Sequence, residues 1–180
     1  MLIAFLLCLL TVVPLGASVD IGWEGVSFGL LVNKYQEELT TIRFVELHGD
    51  SSVDSMTISN GKGINDPQFR MVVNTNARSP VKINLKFEPF SLESSKLTYD
   101  VRMFDVDGTT PVKFGEGTSA VDRVPVSEET TVSFSSKVSP DGAVWIFEYP
   151  FAFSFDQKSL EGAVAGTYSC NLIAEVVSIT

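Results

Sequence analysis

Between residues 81 and 88 the sequence reads VKINLKFE, and this alternation constrains the fold more than any other stretch. In an extended chain Val81, Ile83, Leu85 and Phe87 share one face, while Lys82, Asn84, Lys86 and Glu88 share the other. A helix would scatter the same residues around its surface, so the pattern predicts a half-buried antiparallel strand. Residues 97–103, LTYDVRM, repeat it with Leu97, Tyr99, Val101 and Met103 inward. FRMVVN at 69–74 predicts a further strand, turning through NARSP at 76–80.

Residues 130–138 and 143–149 are strand-like and flank Ser139-Pro-Asp-Gly142. Pro and Asp suit the centre of a type I turn and Gly the positive φ that follows, so a hairpin is expected here. Asn60-Gly-Lys-Gly63 and Asp105-Val-Asp-Gly108 are further turns. Earlier strands are expected over 21–32 and 41–47; the first changes phase near Gly25, which predicts a bulge or a switch between sheets. No stretch keeps a 3.6-residue period, although 34–39 and 91–96 could each make one short helical turn. Residues 109–128, rich in Gly, Pro, Thr and Ser, predict a long loop with at most a brief edge strand. Eight or nine strands in one domain give an all-β fold, a single immunoglobulin-like Greek-key β-sandwich. The alternative is a closed β-barrel of the lipocalin-like carrier kind.

Residues 1–18, MLIAFLLCLLTVVPLGAS, carry no charged side chain and have an apolar run too short for a comfortable membrane span. They read as a signal peptide cut just after Ala17 or Ser18, leaving a β-sandwich domain over 19–180 with no stable transmembrane segment. No Lys or Arg precedes the run, so either the terminal amine supplies the positive charge or Met1 is an internal methionine; a retained N-terminal anchor is the third option. Export to the periplasm, the cell surface or the medium is the expected localisation. After cleavage only Cys170 remains, so no internal disulfide is expected and the core must hold the domain together. The formal charge of -9, without clustered Lys or Arg, argues against a nucleic-acid partner.

Chemistry-bearing constellations are sparse. His48 is the only histidine, lies beside Gly49-Asp50, and is read as a solvated turn residue. A transition-metal site needs more ligands than one imidazole supplies. Asp105-Val-Asp107-Gly108 resembles part of a calcium loop but lacks a third Asp or Asn and the distal Glu, so it is read as a β-turn. No nucleophile–base pair stands out, and no enzymatic activity, metal or cofactor is expected.

Trp145, Phe147, Tyr149, Phe151, Phe153 and Phe155 place an aromatic at every second position. Buried, such a row is the centre of a sandwich core, each ring hiding about 150–250 Å². Exposed, its first members Trp145, Phe147 and Tyr149 form a binding face for a small ligand, lipid or glycan. Pro150 interrupts the row, so the strand is expected to bend and its halves to face different surroundings.

The closing motif, AGTYSCNLIAEV at 165–176, resembles the last strand of bacterial pilin and spore-coat-U-like surface domains. Gly166, Tyr168, Leu172 and Val176 match a Gly-x-Tyr-x-Gly-x-Leu-x-x-x-Val pattern, with Cys170 where the second Gly often stands. Residues 74–99 resemble the middle of those domains: a strand, an Asn/Ser/Pro turn, an alternating strand, then KLTYDV. The resemblance implies a non-enzymatic structural or adhesive subunit of a bacterial surface assembly, fimbrial in type. In such relatives a neighbouring subunit, or another copy of the chain, completes the sandwich by strand addition. Ile21, Trp23, Val26, Phe28, Leu30 and Val32 are the candidate donor residues, and the alternative is that they form the first strand of their own sheet. At period two, Tyr168, Cys170, Leu172, Ala174 and Val176 share the inward face of the final strand, making Cys170 a buried free thiol.

Overall fold

A computed structural model describes residues 17–21, 26–31, 40–53, 55–56 and 61–179, and the side chains of 40–53 and 61–177. In chain order the strands are β1 (Ala17–Ile21), β2 (Val26–Leu31), β3 (Thr40–Glu46), β4 (Ser55–Met56), β5 (Phe69–Thr75), β6 (Val81–Phe87) and β7 (Phe90–Leu92). They continue with β8 (Ser95–Leu97), β9 (Tyr99–Phe104), β10 (Pro111–Val112), β11 (Val124–Val126), β12 (Thr130–Ser135), β13 (Trp145–Phe155) and β14 (Leu172–Ile179). One short helix, α1 (Gln157–Glu161), lies between the last two. Nine of these strands have five or more residues, in keeping with the eight or nine expected, and the others are two- or three-residue edge pieces.

Two sheets face each other, and they do not close into a barrel. The first runs β12-β6-β14-β2-β1-β4; the second runs β10-β9-β13-β5-β3, with β11 also on β9. In the second sheet β3, β5, β13 and β9 hold the places of strands A, B, E and D of an immunoglobulin sandwich, and β6 and β14 hold those of C and F. The chain crosses between layers at 76–80 and again at 136–144, so connected strands lie in opposite sheets.

Strict alternation follows from this layering. β6 reads buried at Val81, Ile83, Leu85 and Phe87 and half-exposed between them. Leu97, Tyr99, Val101 and Met103 are all buried, as expected. The inner face of the second sheet adds Phe44, Phe69, Met71, Val73, Phe151, Phe153 and Phe155. Phe69 stacks on Phe151 and Phe153 at 5.1 and 5.5 Å between centroids, and Phe87 reaches across the layers to Phe151 at 6.5 Å. A smaller apolar group on the other face of that sheet, Val45, Val72, Phe104 and Ala152, is also buried. Residues 49–50 and Asn65 lie over that face, tied down by Arg43, Arg70 and Arg102; Arg102 Nη1 donates to Asn65 Oδ1 at 2.5 Å.

β13 stays one strand through Pro150. Gln68 N donates to the Phe151 carbonyl at 2.7 Å, so Phe151 turns its main chain toward β5 and Pro150 turns its own the other way. Pairing with β9 on that side begins only at Phe151, and the missing N–H of Pro150 falls where no ladder bond is required. The two halves do face different partners, β5 up to Phe151 and β9 from Phe151 to Phe155.

Three expectations need correction. The Ser139–Gly142 turn has the expected positive φ at Gly142 (76°), but it joins no hairpin: β12 pairs with β6, and β13 with β5 and β9. The reason is that both strands carry inward aromatics. Phe134 and Tyr149 meet edge to face at 5.1 Å across the core, which requires opposite sheets. Residues 91–96 form no helical turn; β7 and β8 make a hairpin with Glu93 at φ 52°, burying Phe90 opposite Leu97. Its edge is held by reciprocal bonds, Ser91 N to Ser169 O (2.8 Å) and Ser169 N to Ser91 O (3.0 Å). Finally, 21–32 is not one strand: β1 and β2 are antiparallel and pair Ile21 with Val26. Residues 1–16, 34–39 and Asn60 lie outside the described residues, and so do the expectations placed on them.

The 109–128 stretch, expected to be a long loop with at most one brief edge strand, carries two, β10 and β11, both on β9, with a 3-10 turn at Gly117–Ser119 between them. Helix α1 has its own start signal. Asp156 caps it by accepting from Ser159 N at 3.1 Å, and Ser159 Oγ accepts from Thr98 N at 2.9 Å, fixing the crossover to β14.

Candidate functional site

β14 has two unequal neighbours. On one side it is antiparallel to β6 over seven register pairs, with a bulge between Val176 and Ser178. On the other it runs parallel to β2, and among the described residues the register pairs are Ala174 with Leu30 and Glu175 with Leu31. An immunoglobulin sandwich fills this place with strand G, which follows F in sequence. Here the occupant comes from the opposite part of the sequence, as one arm of the β1–β2 hairpin. Parallel pairing is slightly weaker per residue than antiparallel pairing.

Of the candidate donor residues, Ile21 lies on β1 and Val26, Phe28 and Leu30 on β2; Trp23 and Val32 lie outside the described residues. Leu30 is the register partner of Ala174, which is fully buried. Tyr168 and Cys170, just before β14, and Leu172 and Ala174 on it are buried as expected, and Val176 packs against the same core; the strand itself begins only at Leu172.

The aromatic row divides along its length. Phe151, Phe153 and Phe155 are core residues. Tyr149 is also buried, and its hydroxyl accepts from Lys137 N at 3.1 Å, so it belongs to no exposed binding face. Burial raises its hydroxyl pKa to about 12. Trp145 is 42% exposed and Phe147 half-buried, with near-parallel rings (18°) and centroids 6.5 Å apart.

Trp145 is held in place by the turn before it. Asp141 Oδ1 accepts from the Ala143 N–H (2.9 Å) and the Trp145 indole N–H (2.8 Å), with Ser139 Oγ 3.2 Å away. The Ala143 bond, then the indole, holds the Asp141 carboxyl below its ordinary pKa. Arg78 Nη2 donates to the Asp141 carbonyl at 3.1 Å, and its guanidinium crosses Gly142 so closely that a Cβ there would stand 2.7 Å from Nε. The sequence pattern makes Ser139–Gly142 a hairpin turn and assigns no role to Asp141, which holds the Trp145 indole, or to Arg78 next to it; the Asp four residues before the Trp is the available signal.

Other candidates are accounted for locally. His48 is exposed in the turn after β3. Asp107 closes its own turn, accepting from Thr109 N (2.8 Å), Thr110 N (2.7 Å) and Thr110 Oγ1 (2.5 Å), and Lys137 bridges Asp105 at 2.6 Å. Those donors, the Thr110 hydroxyl first, lower the Asp107 pKa to about 2. Cys170 is free and buried, and burial pushes its thiol well above the usual range. Among the described residues no three metal-ligating side chains cluster, and no helix is long and apolar enough to cross a membrane. A shallow cleft of about 400 Å³ is lined by Leu97, Leu160, Ala163, Val164 and Tyr168, but the Tyr168 hydroxyl is engaged by Ser95 Oγ and the Val164 carbonyl.

No known protein family, no curated protein and no solved structure matches this chain.

Proposed function

We propose that the protein is a non-enzymatic, exported bacterial structural or adhesive surface subunit, fimbrial or pilin-like, joined to its neighbours by strand addition beside β14. The observation carrying this reading is the occupancy of the strand-G place, in parallel, by β2 from the other end of the sequence. A strand that pairs parallel to β14 and comes from the other end of the sequence is the one a neighbouring subunit could supply instead. The alternating sequence of 26–32 suits either host. The terminal-strand resemblance and the signal-like 1–18 segment point the same way.

The test is the size of the purified protein by light scattering, with hydrogen exchange across residues 19–33. Concentration-dependent multimers, with 19–33 protected in the multimer and not in the monomer, are expected. A stable monomer with 19–33 protected would sink strand exchange. A second reading, an exported binding module for a small ligand, lipid or glycan, rests on the exposure of Trp145 beside Phe147.

A further inference from the structure

We propose that the end of the sandwich marked by Trp145 is a carbohydrate-binding site, with the Trp145 ring as stacking platform and Asp141 and Arg78 as polar contacts for hydroxyl groups. The inference stands whether the strand beside β14 comes from the same chain or another.

Three observations converge on it. An indole that is 42% exposed leaves a large apolar face in water, and this one is immobilised as well. Its N–H is tied to Asp141 Oδ1, and its ring runs nearly parallel to that of Phe147. A ring fixed before binding loses little side-chain entropy when a ligand stacks on it. Among the described residues the hydrogen bonds of Asp141 run to Oδ1 or the main chain, which leaves Oδ2 as an acceptor. Arg78, exposed, uses one Nη2 N–H on the Asp141 carbonyl and keeps its other donors. An acceptor therefore stands at the border of the ring, and a planar donor lies next to it on the same turn. A pyranose presents the matching surface: axial C–H groups over one face and equatorial hydroxyls around the rim.

A protein partner fits less well. Ile146, 60% exposed, is the register partner of Asn74 on the opposite face of β13 from Trp145. Period two thus puts exposed Val144 and Ile146 on the face opposite Trp145, so they do not widen the apolar surface of the indole. Among the described residues the polar group in contact with Trp145 is the Asp141 carboxylate, and Arg78 lies next to it on the Asp141 carbonyl.

The experiment is a titration of the isotope-labelled full chain with neutral hexasaccharides of glucose, mannose, galactose and N-acetylglucosamine. The reporter is the Trp145 indole N–H resonance, identified by its absence in Trp145→Phe. At least one sugar is expected to shift it saturably, with matching calorimetric heat. Trp145→Ala should abolish that heat, and Asp141→Asn and Arg78→Ala should each weaken binding by about tenfold, a change of about 1.4 kcal/mol. Silence from all four sugars, or undiminished binding by Trp145→Ala, overturns the proposal. Broadening of the resonance with protein concentration and no response to sugar also overturns it, assigning the site to a contact between copies.

Discussion

Phe151 on β13 and Phe69 on β5 are register partners whose rings stack with centroids 5.1 Å apart and planes 4° apart. The pair sits where β13 passes from one partner strand to the other, and Phe87 touches it from the facing sheet at 6.5 Å. Both rings are fully buried, so the packing of the whole domain converges on this contact.

Phe151→Ala and Phe69→Ala are each expected to lower stability by about 3–5 kcal/mol, measured by urea unfolding. Leu at either position should cost clearly less, because much of the volume remains. The double alanine variant should deviate from additivity, since the two rings share one cavity.

Asp107 offers a pH test. Its folded pKa, about 2, lies below the ordinary carboxyl value near 3.8, so its contribution is fully present above the ordinary value. It is lost as the pH falls through about 2. The Asp107 carboxyl resonance should titrate at that low midpoint, and in Thr110→Val, which lacks the hydroxyl that contributes most, the midpoint should move up toward 3.8. An unchanged midpoint would remove the hydroxyl from the explanation.

Cys170 should resist thiol reagents in the folded protein, since it is 5% exposed and its thiolate is disfavoured by burial. Labelling through a urea titration should follow the global unfolding curve. Rapid labelling without denaturant would contradict the inward placement of Cys170.

Gly142→Ala combines two penalties. The residue has φ 76°, and its new Cβ would meet Arg78 Nε at 2.7 Å. A loss of about 1 kcal/mol is expected from the backbone alone. The Arg78 side chain must also move, which a shift of its guanidinium resonances would report.

How much of this was legible in the sequence depended on what each residue's position is set by. β6 was readable because it is sandwiched between core and solvent along its full length, so Val81 to Phe87 alternate without exception. The inward side of the last segment was readable for the same reason through Cys170, Leu172 and Ala174, although regular strand starts only at Leu172. The Ser139–Gly142 turn was correct in its backbone chemistry and wrong in its consequence. Turn residues fix local φ and ψ, whereas the sheet that β13 joins is decided by contacts such as Phe134–Tyr149. The split of the aromatic row into a buried Tyr149 and an exposed Trp145 was not readable, because it depends on where the sandwich ends. The Asp156 cap was written in the sequence as Asp-Gln-Lys-Ser, but a five-residue helix gives no periodicity to draw attention to it.

The strand beside β14 can be tested by tying it down. Leu31 and Glu175 are register partners in a parallel pair, a spacing that a disulfide can bridge. Cysteines at both positions, oxidised in the concentrated protein, are expected to give a ladder of dimers and larger multimers on a denaturing, non-reducing gel. A single monomer band carrying an intrachain cross-link would contradict assembly by strand addition.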